Sequence, residues 1–146
     1  MDYLHPEADD AGIGELSALA LAHLGDGVYE LMVRTWCVLH RKLTNRSLHS
    51  AVVRYVAAPA QAAAARRIEP LLTDEERSVF RRGRNAHTAA VPPKATRGEY
   101  HAATALETLF GYLYLRGRTD RLGALFAVAM EEEPDIPADG PAGLPE

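Results

Sequence analysis

Apolar side chains recur every three or four residues along most of this chain, which is the spacing of one buried face on an α-helix. Alanine and leucine, both strong helix formers, dominate these segments, and no run of β-branched residues alternates with polar ones. The pattern therefore predicts an all-α fold without strands. We expect helices near residues 15–40, 48–57, 59–71, 74–82, 99–116 and 119–130.

Capping and turn residues set several of these boundaries. Thr73 and Glu76 have the spacing of a capping box, Thr119 is a candidate N-cap, and Gly117 is placed to end the helix before it. The segment 83–98 contains two glycines and a Pro-Pro pair, so it is predicted to be a loop, and its length favours a functional role.

Charge divides the chain into acidic ends and a basic middle. Residues 1–15 contain five acids and residues 131–146 contain six, with no Lys or Arg in either segment. All sixteen basic residues lie between residues 16 and 130, together with nine acids. We expect an acidic N-terminal tail at 1–14, a single domain at 15–131, and a disordered acidic tail rich in Pro and Gly at 132–146.

The densest basic stretch runs from Arg77 to Arg97 and contains no acid between those two residues. Such a stretch is typical of a phosphate-binding surface. A solvated helix face followed by a loop explains the charge equally well.

Composition excludes other classes of protein. Cys37 is the single cysteine, so an internal disulfide and a thiolate zinc cluster are excluded, and a reducing, cytoplasmic setting is expected. The sequence predicts neither a signal peptide nor a membrane span.

Two isolated acids lie in mostly apolar helical segments. Asp26 and Glu30 are the only formal charges from residue 16 to 33, and Glu107 is the only one from 100 to 115. A salt bridge to Arg34, one turn further, accounts for Glu30. Because an unpaired buried carboxylate is costly, Asp26 and Glu107 call for a cation.

Glycines accompany both acids. Gly25 and Gly27 flank Asp26, and Gly111 follows Glu107 by one turn, although each helical glycine costs about 1 kcal/mol relative to alanine. Either a close approach to the backbone or tight helix packing explains them. If the two helices cross with the acids facing each other, they offer oxygen ligands suited to Mg²⁺ or Mn²⁺. Such a site fits phosphodiester hydrolysis, because the metal lowers the pKa of a bound water.

Other chemistries lack their residues. No Glu-x-x-His pair of a helical di-iron site is present, and no serine or cysteine lies in a nucleophile elbow. The histidines are expected to be structural or exposed, with His49 and His101 also considered as RNA contacts.

Three segments together resemble the ribonuclease III family, in its bacterial Mini-ribonuclease III branch. Residues 19–30 resemble the signature helix of that family, residues 100–115 resemble its second catalytic helix, and residues 81–86 resemble the stretch before its substrate-facing loop. The likeness covers the chain from about residue 16 to 125 in the same order.

The resemblance implies an all-helical endonuclease domain that cuts double-stranded RNA as a homodimer and leaves 5′-phosphomonoesters. Asp26 and Glu107 then become catalytic metal ligands for Mg²⁺, with Mn²⁺ as a substitute. The residues expected to contact RNA are Arg81, Arg82, Arg84, Asn85, Lys94 and Arg97. The same resemblance implies binding without a separate double-stranded RNA-binding domain, maturation of precursor 23S ribosomal RNA, and help from a large-subunit ribosomal protein.

Two positions depart from the longer members of that family. Ala22 and Thr104 stand where those enzymes have a further glutamate and a further aspartate, and the Thr104 hydroxyl is a candidate to hold a water at the metal. Two alternatives stay open. One is a non-catalytic RNA-binding or ribosome-assembly factor, in which Asp26 and Glu107 pair with arginines such as Arg34. The other is a dimerising helical module without RNA affinity, with Gly25 and Gly111 as packing contacts. Small residues of the first long helix, Ala18, Ala22 and Gly25, would suit the interface of a homodimer.

Overall fold

The computed structural model describes residues 1–40, 44–86 and 95–131, and within these ranges it contains seven α-helices and no strand. The predicted all-α fold is confirmed for this part of the chain. A short 3₁₀ turn at Glu69–Leu71 follows the fourth helix. The helices are α1 (Asp10–Gly14), α2 (Ala18–His40), α3 (Asn45–Val56), α4 (Ala58–Ile68), α5 (Asp74–Arg84), α6 (Arg97–Leu115) and α7 (Thr119–Ala129).

Capping chemistry explains where several helices begin. The predicted capping box at Thr73 is present: its hydroxyl accepts from the Glu76 N–H at 3.2 Å, and the Glu76 carboxylate accepts from the Thr73 N–H at 3.0 Å. A second capping box at Thr96 starts α6 two residues earlier than predicted. The prediction of Thr119 as an N-cap is wrong, because Thr119 is the first residue of α7 and no side chain caps that helix.

The predicted loop at 83–98 is shorter than expected at both ends. Helix α5 continues to Arg84 and α6 begins at Arg97, while residues 87–94 lie outside the described part of the chain. The C-terminal tail predicted at 132–146 also lies outside it.

Helix α6 is the centre of the fold and packs against α2, α4, α5 and α7. Its apolar residues from Ala105 to Leu113 are buried, as are the residues of α2 that recur at intervals of three or four. Tyr29 of α2 makes edge-to-face contacts with Phe110 and Phe126, whose ring centroids lie 5.2 and 5.8 Å away. These contacts fix α2, α6 and α7 around one core.

Residues 1–14, expected from charge to be a tail, pack against the C-terminal end of α6. The Ala8 N–H donates to the Leu115 carbonyl at 2.7 Å, and Ile13 of α1 joins the core. Gly117 ends α6 as predicted, in a left-handed conformation with φ of 72°, where a side chain would also crowd the Pro6 carbonyl.

An ion pair with a buried carboxylate joins α5 to α7. The Arg121 guanidinium donates two hydrogen bonds of 2.8 Å to the Glu76 carboxylate, which is 3% exposed. Burial acts to raise the pKa of Glu76, but the Arg121 hydrogen bond and the Thr73 N–H outweigh it and hold that pKa below its usual range. In the described ranges, no helix is both long enough and apolar enough to cross a membrane.

Candidate active site

Helices α2 and α6 touch backbone to backbone at two glycines. A Cβ atom at Gly25 would lie 2.6 Å from the Glu107 carbonyl carbon and closer still to its oxygen, and one at Gly111 would lie 3.0 Å from the Leu21 carbonyl carbon. Of the two explanations left open for these glycines, tight helix packing is the one found at Gly25 and Gly111. Neither explanation holds for Gly27, which has nothing within 4 Å of where a side chain would begin.

This contact brings the two isolated acids together. Gly25 lies against Glu107, so the neighbouring Asp26 stands at the edge of the helix crossing and its carboxylate interacts with that of Glu107. Asp26 is exposed, whereas Glu107 is half-buried. Burial and then the Asp26 charge raise the pKa of Glu107 from 4.5 to about 8. A hydrogen bond with the Gln61 side chain acts in the opposite direction.

No positive side chain in the described part of the chain offsets this pair. Glu107 and Asp26 form no ion pair with any described Lys, Arg or His. Arg34 pairs instead with Glu30 at 2.8 Å, as predicted. The expectation of the non-catalytic alternative, that Arg34 neutralises these acids, is therefore wrong.

The two carboxylates suit a hard divalent cation. Within residues 1–40, 44–86 and 95–131, no cluster of three or more His, Cys, Asp or Glu side chains is placed to bind a metal. Mg²⁺ does not need one, because it commonly takes one or two carboxylates and keeps several waters. The two carboxylates lie side by side, and their proximity helps to raise the pKa of Glu107 so that it tends to hold a proton. A divalent cation replaces such a proton readily, because it offsets both negative charges.

The two positions that replace acids of the longer enzymes are buried. Ala22 is 6% exposed and Thr104 is 4% exposed. The Thr104 hydroxyl donates to the Tyr100 carbonyl at 2.9 Å, so its proton is used within α6. That the Thr104 hydroxyl holds a water at the metal stays a prediction.

A third close approach fixes the basic end of α5 against α6. Gly83 is buried against α6, where a Cβ atom would lie 2.6 Å from the Thr108 Cβ and 3.0 Å from the Ala105 Cα. This contact holds the end of α5, with its arginines, against the face of α6 that carries Ala105 and Thr108. Sequence reasoning missed this role of Gly83, although its position between arginines of an amphipathic helix was a signal.

The predicted RNA-contacting residues line two adjoining open clefts. Arg81, Arg82 and Asn85 line the first, and Asn85 and Arg97 belong to the second. All four side chains are exposed. The structure thus gathers them on one surface, whereas Lys94 lies outside the described residues.

Arg84 differs from Arg81, Arg82 and Arg97 in that it forms an ion pair with a described acid. Its guanidinium donates to both oxygens of Glu69 at 2.9 and 3.2 Å and lies 5.0 Å from the centre of the Phe80 ring. The hydrogen bond from Arg84 lowers the pKa of Glu69. This pair ties α5 to the turn after α4, so Arg84 lines the second cleft with a guanidinium that is already bound.

The two histidines considered as RNA contacts lie in different places. His101 lines the second cleft with Arg97, and its buried Nδ1 has no hydrogen-bond partner among the described residues. His49 lines a hollow between α2 and α3 instead, with Arg34.

The solvent face of α2 carries large apolar side chains. Leu31, Val38 and Leu39 are 59%, 56% and 65% exposed, and we call these three residues the α2 stripe. Ala22 and Gly25, expected to lie at an interface between protomers, are buried inside this chain. A partner helix would therefore meet a different face of α2 from the one predicted.

A family model described as the Ribonuclease III domain matches residues 19–118. The chain belongs to the ribonuclease III family. The matched region begins in α2 and ends just beyond α6, so it includes both Asp26 and Glu107.

Curated relatives agree with this assignment. Proteins named Mini-ribonuclease 3 from Gloeobacter violaceus and Symbiobacterium thermophilum are 44% and 42% identical, over 89% and 80% of this chain and 97% and 89% of their own lengths. A Thermoanaerobacter protein of the same name is 40% identical over 82% of this chain and 84% of its own length. A crystal structure of a Fusobacterium nucleatum protein, 28% identical, superposes with a TM-score of 0.75 over 82% of this chain and 98% of that one.

Membership of the ribonuclease III family identifies the chain as an endoribonuclease that acts on double-stranded RNA. The acids and arginines that the sequence predicted as site residues all lie within the matched region. A second residue that sequence reasoning missed is Gln61, a polar side chain in contact with Glu107. Its signal was a lone glutamine among the alanines of α4.

Proposed function

We propose that Asp26 and Glu107 hold Mg²⁺, or Mn²⁺ in its place, and that this ribonuclease III-family enzyme depends on the ion to hydrolyse RNA duplexes to products with 5′-phosphates. The observation that carries the proposal is the pair of carboxylates at the α2–α6 crossing, which no described positive side chain neutralises. A divalent cation relieves the repulsion that raises the pKa of Glu107.

The two acids have different surroundings and therefore different tasks. Asp26 is exposed at the protein surface, where a phosphate of the substrate reaches the same ion. Glu107 is half-buried and held by Gln61, so it provides the fixed side of the site. When bound, the cation supplies an activated water and stabilises negative charge that develops on the phosphate.

We assign duplex binding to the surface formed by the end of α5 and the start of α6. Exposed Arg81, Arg82 and Arg97, with Asn85 between them in the adjoining clefts, are suited to phosphate oxygens. Lys94 belongs to the same proposal through its sequence position. Recognition by backbone charge and A-form shape requires no contact with base edges.

We further propose that the enzyme is a homodimer whose protomers meet along the α2 stripe. Three large apolar side chains exposed on one helix favour burial against a second copy. Sedimentation of the wild-type protein and of a Leu31→Lys variant tests this: the wild type sediments as a dimer and the variant as a monomer, and a monomeric wild type contradicts it.

The natural substrate that we propose is precursor 23S ribosomal RNA, presented with a large-subunit ribosomal protein. The likeness to proteins named Mini-ribonuclease 3 supports this proposal. Incubation of the enzyme with the naked precursor and with precursor-containing large subunits tests it. Cleavage at defined ends, faster on the subunit, is expected; equal cleavage of unrelated duplexes contradicts it.

Cleavage of a labelled RNA duplex tests the central proposal. Asp26→Asn and Glu107→Gln are compared with wild type in Mg²⁺, Mn²⁺ and EDTA, with Glu30→Gln as the matched control one turn away on α2. We expect both site variants to lose at least about a hundredfold in rate, since metal stabilisation amounts to several kcal/mol. Undiminished cleavage by Asp26→Asn, or cleavage in EDTA, contradicts the proposal.

A further inference from the structure

Gln61 occupies an unusual position for an amide. It lies in α4, whose segment 58–65 is otherwise alanine apart from Pro59, and whose inner face packs against α6. The Gln61 side chain is 2% exposed, among the buried Ala62, Ala65 and Ile68. Burying an amide in such a setting is unfavourable unless it is hydrogen-bonded, and an apolar residue of similar size would pack there without that cost.

The partner of this amide is the deeper acid of the cleavage site. The Gln61 side chain forms a hydrogen bond with the Glu107 carboxylate, while Asp26 approaches Glu107 from α2. An amide N–H that donates to one carboxylate oxygen favours the ionised form and limits rotation of the group. Three helices, α2, α4 and α6, thus contribute one side chain each to a single cluster.

We propose that Gln61 is a positioning residue of the cleavage site, which holds the Glu107 carboxylate in place beside Asp26 so that both acids present oxygens to one divalent cation. This inference rests on the proposed function of the acid pair. Partners that orient metal ligands in this way are generally worth about ten- to a hundredfold in metal affinity or activity.

The chemical type of the residue fits this task. A lysine at position 61 would compete with the cation by its charge, and a glutamate would add a third negative charge to a partly buried cluster. A neutral donor avoids both effects. In this chain Ala22 and Thr104 supply no additional carboxylate, so affinity for the cation depends more strongly on how Asp26 and Glu107 are oriented.

The test variant is Gln61→Met, which keeps the length of the side chain and removes the donor. Mn²⁺ binding to the full chain without RNA, followed by electron paramagnetic resonance, measures the site directly. We expect its dissociation constant to rise by at least about tenfold. The Mg²⁺ concentration that gives half-maximal cleavage should rise by a similar factor, while duplex affinity in EDTA and the melting temperature without metal do not fall.

Two further variants keep the result interpretable. Ser47→Ala removes a similarly buried polar group from α3, whose hydroxyl accepts from Thr44, and should leave Mn²⁺ affinity unchanged. Gln61→Asn retains an amide but withdraws it by one methylene, so it should weaken Mn²⁺ binding even if Gln61→Met does not fold.

Wild-type Mn²⁺ affinity and Mg²⁺ dependence in a folded Gln61 variant would overturn the inference and leave the proposed function intact. Failure of the wild-type protein to cleave in Mg²⁺ would instead overturn the proposed function. If the wild type also binds no Mn²⁺, the inference falls with it.

Discussion

Replacing Gly25 by alanine tests the contact that assembles the site. The new Cβ atom would lie 2.6 Å from the Glu107 carbonyl carbon and 2.8 Å from the Gly111 nitrogen, whereas ordinary contacts begin at 3.4 Å. These neighbours are backbone atoms of a helix, so they cannot rotate away as a side chain does. Helices α2 and α6 must separate by about 1 Å or more, and this opens gaps along their interface.

The expected cost follows from overpacking, which typically destabilises by about 1–3 kcal/mol and occasionally more. Because two backbones collide here, we expect about 3 kcal/mol, even after alanine's advantage of about 1 kcal/mol in helix propensity. For a chain of this size, that corresponds to a fall in melting temperature of about 6–12 °C.

Gly27→Ala is the matched control, two residues further along α2, where nothing lies within 4 Å of the new atom. It should stabilise the protein by up to about 1 kcal/mol through helix propensity alone. Thermal and urea unfolding of both variants give the comparison. Equal stability of Gly25→Ala and Gly27→Ala would refute the close approach of α2 and α6.

Three further predictions concern ionisable groups. The pKa of Glu107 is about 8 in the folded protein and near 4.5 in the unfolded chain, so between these two pH values the metal-free folded state holds one more proton than the unfolded state. The free energy of unfolding, measured in urea, should therefore fall from about pH 5 to 8.5, by at most about 1.4 kcal/mol per pH unit. Glu107→Gln should flatten this slope. Arg121→Met should destabilise the protein by about 3 kcal/mol, because it leaves the Glu76 carboxylate buried without its partner. Adding Glu76→Gln should recover part of that loss, and a double variant whose loss of stability equals the sum of the two single losses would contradict the pairing. In filter binding over a salt series, Arg81→Ala should weaken duplex binding and reduce the slope of log affinity against log salt concentration by about one. Arg84→Ala should mainly lower the melting temperature, since the Arg84 guanidinium is bound to Glu69. Equal losses of duplex affinity in the two variants would contradict this distinction.

The helices and the two acids could be predicted from local sequence. Helical periodicity and capping depend on neighbours within about four residues, so the start of α5 at Asp74 could be predicted. Glu107 could be found because an isolated charge in an apolar helix needs compensation where it is buried. The same expectation of burial was wrong for Asp26, which is exposed and was found by its isolation among apolar residues. The glycine cost indicated a close approach, which the structure places at Gly25 and not at Gly27.

Contacts between distant helices could not be predicted in the same way. Periodicity shows that a face of α2 is buried but not which helix covers it. Ala22 and Gly25 were therefore expected at an interface between protomers, whereas Ala22 is buried within the chain and Gly25 lies against α6. Gln61 reaches Glu107 only through the packing of α4 on α6. The ion pair of Arg84 with Glu69 likewise spans fifteen residues.

Anomalous scattering from Mn²⁺ in crystals of the wild-type enzyme would locate the cation directly. We expect a peak bound by one oxygen of Asp26 and one of Glu107, with the Gln61 amide still donating to Glu107, and no such peak in Asp26→Asn crystals grown in the same way. A Mn²⁺ ion bound elsewhere, or none between these carboxylates in an enzyme that cleaves RNA under the same conditions, would contradict this expectation.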